Sequence, residues 1–236
     1  MKRHFKTLAM VMVCMAMALC VSCKKNNDKP SGGNTGGGNG GGTIAGHEYV
    51  DLGLPSGTLW ATCNVGASKP EDYGSYFAWG ETSTKSIYDY SNYKWWTEDG
   101  YITKYCNDGT CGDWDNKLVL ESSDDVAHVK WGGSWRMPTR KDFDELMNNC
   151  KRVRSALKGV SGINITGPNG NSIFMPDGGY YSGYGGIHEE DWSGNYWSSS
   201  LFFDDPSCAW FFKTPHNKVI GTNRDTGMNV RPVSDR

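Results

Sequence analysis

Few residues in this chain have the types and spacing that catalysis requires. His47, His128, His188 and His216 are far apart without metal-ligand spacing, and the sequence lacks the HExxH, GxSxG and GxxxxGK[ST] motifs. The serine run that begins at Ser198 lacks the glycines of a nucleophile elbow. The sequence therefore predicts that the protein is not an enzyme.

Two groups of acidic residues have oxygen ligands of the kind that a hard cation such as calcium prefers. One is the run Glu189, Glu190 and Asp191; the other lies in 107–115, where the glycine comes too early for an EF-hand loop. A run of this kind more often forms a solvated loop. We therefore predict no metal and no other cofactor, and calcium is the ion that Glu189, Glu190 and Asp191 would take.

The stretch 201–225 has the composition of a recognition surface, because rigid aromatic rings supply contact area and acidic and amide groups supply directed hydrogen bonds. Strand alternation predicts that Trp210 and one of Phe211 and Phe212 are buried. The remaining side chains are predicted to line a ligand-binding surface. These candidates are Phe202, Phe203, Asp204, Asp205, His216, Asn217, Ile220, Thr222 and Asn223.

The first 43 residues have the pattern of export and tether segments. Residues 1–23 begin with basic residues, continue through an apolar run shorter than a membrane span, and end at Cys23, which predicts a secretory signal peptide. The small residue before Cys23 resembles the lipobox of bacterial lipoproteins, which implies lipid attachment at Cys23. Residues 24–43 are polar and glycine-rich and predict a flexible tether, leaving 44–236 as one domain.

The cysteines of the domain fit an exported protein, because disulfides form beyond the inner membrane. The segment CNDGTC is short enough for Cys106 and Cys111 to close a small loop, so we predict a disulfide between them. Cys150 lies on the apolar stripe of a predicted helix and is expected to be a buried small hydrophobe.

Short strands and one well-marked helix must position these residues. Thr139 and Asp142 form a capping box, and apolar residues recur at i, i+3, i+4 and i+7 from Phe143, which predicts a helix packed on a sheet. A proline and acidic residues predict a brief helix over 67–74. Hairpins are predicted around turns at 54–57 and 167–170, long loops at 81–117 and 178–194, and a strand followed by a turn fits 118–129. The fold class is α+β.

Five blocks of the domain, in order, carry a family resemblance: residues 50–82, DDVAHVKWGGSWRMPT, GPNGNSIFMP, YWSSS and the C-terminal R-x-x-G-x-x-VRPV. They closely resemble the Fibrobacter succinogenes major paralogous domain, a family abundant in lipoproteins of Bacteroides-like bacteria. The resemblance implies a C-type lectin-like fold, in which short strands and two helices present long loops. WRMPTRKDFDEL is similar to the helix entry of the formylglycine-generating enzymes of that superfamily.

The chain departs from both activities of that superfamily. It lacks the Glu-Pro-Asn, Gln-Pro-Asp and Trp-Asn-Asp strings with which calcium-dependent lectins hold the ion and a sugar. Cys150 and Cys208 do not map onto the copper-binding cysteine pair of the enzyme branch. The resemblance therefore implies the fold and neither activity.

We expect an exported, lipid-anchored, adhesin-like protein that binds an extracellular glycan or protein through loops 81–117, 178–195 and 201–225. The expected location is the outer membrane, facing the cell surface, with its periplasmic face as the alternative. The net charge of −2 and the lack of a basic block in the domain argue against a nucleic-acid partner.

Two other functions stay open at this point: a structural or tip subunit of a surface appendage, and a formylglycine-generating-type enzyme. Similar C-type lectin-like tails are diversified by retroelements that randomise adenines. The residue types of 201–225 are compatible with such a diversified surface.

Overall fold

The computed structural model describes residues 40–214 and 216–236. The predicted signal peptide, the lipid-attachment residue Cys23 and most of the predicted tether lie outside the described residues. Within the described part of the chain, no helix combines the length and the apolar character needed to cross a membrane.

Mostly antiparallel strands and two α-helices make up the described residues, in agreement with the predicted α+β class. The elements are β1 (Gly41–Ile44), β2 (His47–Asp51), β3 (Leu59–Ala61), α1 (Val126–Trp131), β4 (Trp135–Arg136), α2 (Arg140–Asn149), β5 (Lys151–Leu157), β6 (Val160–Thr166), β7 (Ser172–Pro176), β8 (Tyr180–Tyr181), β9 (Ile187–His188), β10 (Asn195–Leu201), β11 (Cys208–Lys213), β12 (Lys218–Asn223) and β13 (Val233–Ser234). A short 3₁₀ helix spans Tyr90–Asn92.

The first sheet has the strand order β1-β2-β3-β13-β4. The predicted hairpin of β2 and β3 is confirmed, but β1 occupies residues that were predicted to be tether. Gly42 allows this pairing, because a Cβ at that position would lie 2.7 Å from the hydroxyl oxygen of Tyr49. The prediction that the tether extends to residue 43 is wrong, since composition alone does not reveal that glycines can pair with a neighbouring strand.

The capped helix is confirmed as α2. The Thr139 hydroxyl accepts the Asp142 N–H at 3.3 Å, and the Asp142 carboxylate accepts the Thr139 N–H at 2.7 Å. Phe143 and Leu146 are fully buried, and Cys150 is 8% exposed, as the apolar period predicted. Residues of α2 therefore form part of a core against the strands beneath them.

The brief helix predicted over 67–74 is absent, and the second helix is α1 instead. One turn forms there, with the Asp72 N–H donating to the Lys69 carbonyl at 3.1 Å, and Gly74 then takes a φ of +77°. At α1 the Asp125 carboxylate caps the N-terminus by accepting the N–H groups of Ala127 and His128. The residues at 67–74 favour the start of a helix, but Gly74 adopts a left-handed conformation and ends the segment after one turn.

The predicted hairpin around 167–170 is confirmed as β6 and β7, which pair from Gly162 with Pro176 to Thr166 with Ser172. The sequence reading missed β5, which pairs along its whole length with β6. The side chains of β5 are mostly exposed, so this strand has no apolar alternation that could have revealed it.

Buried residues on the two faces of the β10-β11-β12 sheet belong to two separate hydrophobic clusters. Phe212 on one face stacks on Phe143 of α2, with ring centroids 5.3 Å apart. Phe211 on the other face packs against Trp197, with ring centroids 6.1 Å apart. Because adjacent residues of a strand point to opposite faces, both phenylalanines are buried, where the sequence reading predicted only one.

Arg224, in the C-terminal R-x-x-G-x-x-VRPV segment, is buried and fixes the long loop 81–117. Its guanidinium donates to the Tyr93 hydroxyl at 2.9 Å, to the Lys104 carbonyl at 2.9 Å and to the Pro206 carbonyl at 2.8 Å. Hydrogen bonds of this kind make a buried charge tolerable. Arg224 therefore joins the loop to the turn between β10 and β11.

Candidate functional site

Three aromatic rings form a partly exposed cluster beside the N-terminus of α2, which we call the aromatic patch: Phe202, Phe203 and Trp210. The ring centroid of Phe202 lies 4.6 Å from that of Trp210 and 6.0 Å from that of Phe203. Phe203 is 55% exposed. The guanidinium carbon of Arg140 lies 3.9 Å from the centroid of the Trp210 ring, which is a cation–π contact.

Side-chain hydrogen bonds hold the turn that carries the aromatic patch. The Asp205 carboxylate accepts the Ser207 N–H at 2.9 Å and the Ser207 hydroxyl at 2.6 Å, an arrangement typical of an Asx turn. The Asn107 side-chain amide donates to the Phe203 carbonyl at 2.8 Å. Asp205 is therefore occupied within the turn, whereas Asp204 is exposed and its carboxylate has no partner among the described residues.

The predicted loop 81–117 reaches the same turn from its other side. The Tyr90 hydroxyl donates to the Ser207 carbonyl at 3.0 Å, and the Tyr90 ring packs on Trp96 with centroids 4.3 Å apart. A groove of about 390 Å³ lies along Tyr90 and Trp96. The structure thus brings together two of the three loops that were predicted to bind a ligand.

A second concave feature, which we call the polar cavity, lies on the opposite face of the β10-β11-β12 sheet. Its volume is about 270 Å³. It is lined by Tyr180, Ser182, Asn195, Phe211, Lys213, Thr222, Asn223, Thr226 and Met228. Loop 178–195 and stretch 201–225 therefore meet here, away from the aromatic patch.

The far end of β11 carries a third group of predicted residues. The His216 and Trp192 ring centroids are 6.4 Å apart, and the Lys213 ammonium lies 2.7 Å from the Glu189 carboxylate. Burial works to raise the pKa of Glu189, but hydrogen bonds from Lys213 and Ser193 outweigh it and the pKa lies below its ordinary value. Asn217 has a φ of +48° in the turn that follows.

The nine predicted ligand-binding residues are thus divided among three places. Phe202, Phe203, Asp204 and Asp205 lie at one end of β11, while His216 and Asn217 lie at the other end, roughly 17 Å away at 3.3 Å per strand residue. Thr222 and Asn223 line the polar cavity, and Ile220, which is 38% exposed, is paired with Phe211 on that face.

The prediction that Trp210 is buried is wrong. Its neighbour in the sheet is Gly221, and the N-terminal residue of α2 that covers its ring is Arg140. The period of two correctly places Trp210 on the face of Phe212, but α2 begins there and covers only part of the indole. Burial depends on what packs above a strand, which alternation does not specify.

No family model, curated protein or solved structure matches this chain.

Two residues of the acidic run 189–191 make contacts with neighbouring side chains. Glu189 is paired with Lys213, and Asp191 accepts a short hydrogen bond from the Tyr73 hydroxyl. Among residues 40–214 and 216–236, no group of three or more potential ligands converges on a metal position.

The disulfide predicted between Cys106 and Cys111 is not formed; both are free thiols. Their sulfur atoms lie 2.9 and 3.6 Å from the same acceptor, the carbonyl oxygen of Asp108. Close spacing in sequence brought the two thiols to one place, but each makes a contact with the backbone in place of a covalent bond. Burial and the neighbouring Cys106 raise the pKa of Cys111 to about 11, so this thiol is protonated near neutral pH.

Several residues of the two sites were not predicted from the sequence. Arg140 and Lys213 were not among the predicted ligand-binding residues. Tyr180 and Ser182 lie in or beside the short pair β8 and β9, inside a segment read as an irregular loop. Their signal is two residues long on each strand, too short for a periodicity to appear.

Proposed function

We propose that this domain recognises an external glycan or protein, and that the aromatic patch is the contact surface. The observation that supports it is the partly exposed group of Phe202, Phe203 and Trp210, with Arg140 stacked on the indole and Asp204 beside it. Aromatic and arginine side chains dominate the energetics of many recognition surfaces.

The chemistry of the aromatic patch suits both ligand classes. Rigid rings offer flat apolar area, on which the C–H face of a sugar or an apolar side chain can pack with little loss of side-chain entropy. The free Asp204 carboxylate can accept hydrogen bonds from hydroxyl or amide donors. The groove beside Tyr90 and Trp96 extends the surface on the other side of the same turn.

The fold that we propose is C-type lectin-like. Two helices, short antiparallel strands and long loops held by buried side chains are compatible with it. The sequence blocks described above support the same proposal. We further propose that the chain is exported and anchored in the outer membrane through a lipid on Cys23.

Binding, rather than catalysis, is the activity proposed. Burial raises the pKa of the Cys150 thiol to about 11, so this side chain is a poor source of the thiolate that nucleophilic or copper chemistry needs. The Ser198 and Ser199 hydroxyls donate to the Trp210 and Pro138 carbonyls, and the Ser200 hydroxyl accepts the Arg140 N–H. Each of these serines is engaged with the backbone.

The test is a glycan and protein array probed with the full-length chain and with two variants of the patch, Phe203→Ala and Trp210→Ala. Val153→Ala is the matched control, because Val153 is also about half exposed but lies on β5. We expect at least one ligand whose affinity falls about tenfold or more in the patch variants and is unchanged in the control. Binding that all four proteins share equally, or no binding to any ligand, would contradict the proposal.

The appendage-subunit alternative has one observation in its favour, the free edge of β5. This strand is paired with β6 on one side only, and its side chains are mostly exposed. Lys151, Arg152 and Arg154 lie along it, and charges of this kind usually discourage pairing with another strand. Sedimentation of the full-length chain over a range of concentrations tests it: concentration-dependent assembly that Val153→Lys abolishes would favour this alternative.

A further inference from the structure

The polar cavity has chemistry that the aromatic patch does not. Hydroxyl and amide groups from two strands and a neighbouring hairpin converge on it, and the rings of Tyr180 and Phe211 and the Met228 side chain supply apolar area. A volume of about 270 Å³ is near the lower end of small-molecule sites, which begin at about 300 Å³. The cavity therefore suits a compact polar ligand with one apolar face.

Hydrogen-bonding groups in the cavity are available. The hydroxyls of Ser182, Thr222 and Thr226 line it and make no side-chain hydrogen bond within the described part of the chain. The Asn195 amide nitrogen donates to the Ser193 hydroxyl at 2.9 Å, which orients the amide and leaves its oxygen as an acceptor. Three donor–acceptor hydroxyls and one oriented amide match a ligand that itself carries several hydroxyl groups.

The charge of the cavity favours a neutral ligand. Lys213 is the charged side chain of its lining, and its ammonium lies 2.7 Å from the Glu189 carboxylate. Glu189 also accepts a hydrogen bond from the Ser193 hydroxyl. The ion pair neutralises the cation, so an anion entering the cavity would have to compete with Glu189 for Lys213.

The cavity is formed before any ligand enters. The N–H groups of Tyr181 and Gly227 donate to each other's carbonyl oxygens, at 2.8 and 2.9 Å. The Tyr180 ring stacks on His188 of β9, with centroids 5.3 Å apart. The hairpin of β8 and β9 is thus fastened to the segment that follows β12, and little ordering is needed on binding.

We propose that the polar cavity binds one neutral pyranose ring, without calcium. Thr222, Thr226 and Asn195 hydrogen-bond its hydroxyls, and Tyr180 packs against its C–H face. This site lies on the other face of the sheet from the aromatic patch. Sugar binding in the cavity therefore does not depend on whether the patch binds a ligand.

The experiment is an NMR titration of the full-length, ¹⁵N-labelled chain in EDTA with the methyl glycosides of glucose, mannose and galactose and with N-acetylglucosamine. We expect at least one of these sugars to shift the amide resonances of Ser182, Thr222 and Thr226. In Thr222→Val, which keeps the shape of the side chain and removes the hydroxyl, the affinity should fall about tenfold. Val153→Ala, on β5 and outside both the cavity and the patch, should bind the sugar as the unaltered chain does.

Three outcomes would overturn the proposal: no shift at the cavity with any of these sugars, equal affinity in Thr222→Val, or shifts confined to the residues of the aromatic patch. Binding of N-acetylneuraminic acid in place of every neutral sugar would overturn it as well, because the ligand would then be an anion. Should Thr222→Val fail to fold, Thr226→Val, which removes another hydroxyl of the proposed site, provides the same comparison. The array with Phe203→Ala tests the patch independently, so failure of one proposal is distinguishable from failure of the other.

Discussion

The aromatic patch and the polar cavity are built on the same strand and differ in almost every other respect. Trp210 belongs to the patch, and Phe211, the next residue, to the cavity wall. The patch is open and apolar with the unpaired Asp204 carboxylate beside it, whereas the cavity is concave and lined mainly by neutral polar groups among the described residues. A surface of the first kind suits a large partner, and a cavity of the second kind suits a small one.

The difference shows how one β-strand can serve two sites. Because successive side chains point to opposite faces, a run of candidate residues along β11 and β12 divides between the two faces of the sheet. The segments that pack over each face then determine whether that face forms an open surface or a cavity. The start of α2 covers Trp210 only in part on one face, and residues of the β8–β9 hairpin line the cavity on the other.

The largest expected effect is on the free energy of unfolding of variants at three adjacent positions of β11. It distinguishes side chains that pack in the core from one that is partly exposed in the patch. Phe211→Ala and Phe212→Ala should each lower the free energy of unfolding by about 3–5 kcal/mol, because both side chains are buried in one of the two cores. Trp210→Ala should cost only about 1 kcal/mol, since the indole is partly exposed and loses mainly aromatic and cation–π contacts. Urea denaturation monitored by circular dichroism measures all three.

Equal losses at the three positions would contradict this assignment, because they would mean that the core extends across Trp210. Val153→Ala on β5 serves as a control for the removal of an exposed apolar side chain and should change the stability by less than about 0.5 kcal/mol.

The second prediction concerns Asp225, which precedes the cavity residue Thr226. Burial, with a smaller contribution from the nearby Asp89, raises the pKa of the Asp225 carboxyl from 3.8 to about 6. The folded state therefore holds a proton that the unfolded state releases between about pH 4 and 6, so this group's contribution to stability is present below pH 4 and is lost as the pH rises through 6. Asp225→Asn, which mimics the neutral carboxyl, should be more stable than the unaltered chain at pH 7, by about 3 kcal/mol at most.

Thermal unfolding of the two proteins between pH 3 and 8 measures this effect. Their melting temperatures should converge near pH 4 and diverge towards pH 7. If Asp225→Asn were less stable at pH 7, the carboxylate would be a paired, stabilising charge. Asp204→Asn, the same replacement at an exposed position, is the control.

How far the sequence could predict this molecule depends on whether the signal was local. The capping box of Thr139 and Asp142 and the turn at 167–170 are local features, and both elements formed as predicted. The patch and the cavity depend on which segments pack over the sheet, and no local pattern states that. Arg224 illustrates the limit: a C-terminal arginine fixes a loop more than a hundred residues earlier in the chain, through carbonyl groups that any residue could supply.

The smallest expected effect tests whether the two faces are independent. A Cβ on Gly221 would lie 2.7 Å from the Cδ2 atom of Phe202, so Gly221→Ala should push the Phe202 ring off Trp210. The change in stability should be below about 1 kcal/mol, because alanine suits a strand better than glycine and offsets part of the lost aromatic contact.

NMR should show the loss of the nuclear Overhauser contacts between the two rings and a shift of the Trp210 indole N–H resonance. In the matched variant Thr222→Val, one residue along on the opposite face, that resonance should stay in place. If Gly221→Ala also shifted the amides of Ser182 and Thr226, the patch and the cavity would be mechanically coupled through the sheet, and a ligand at one site would then alter the other.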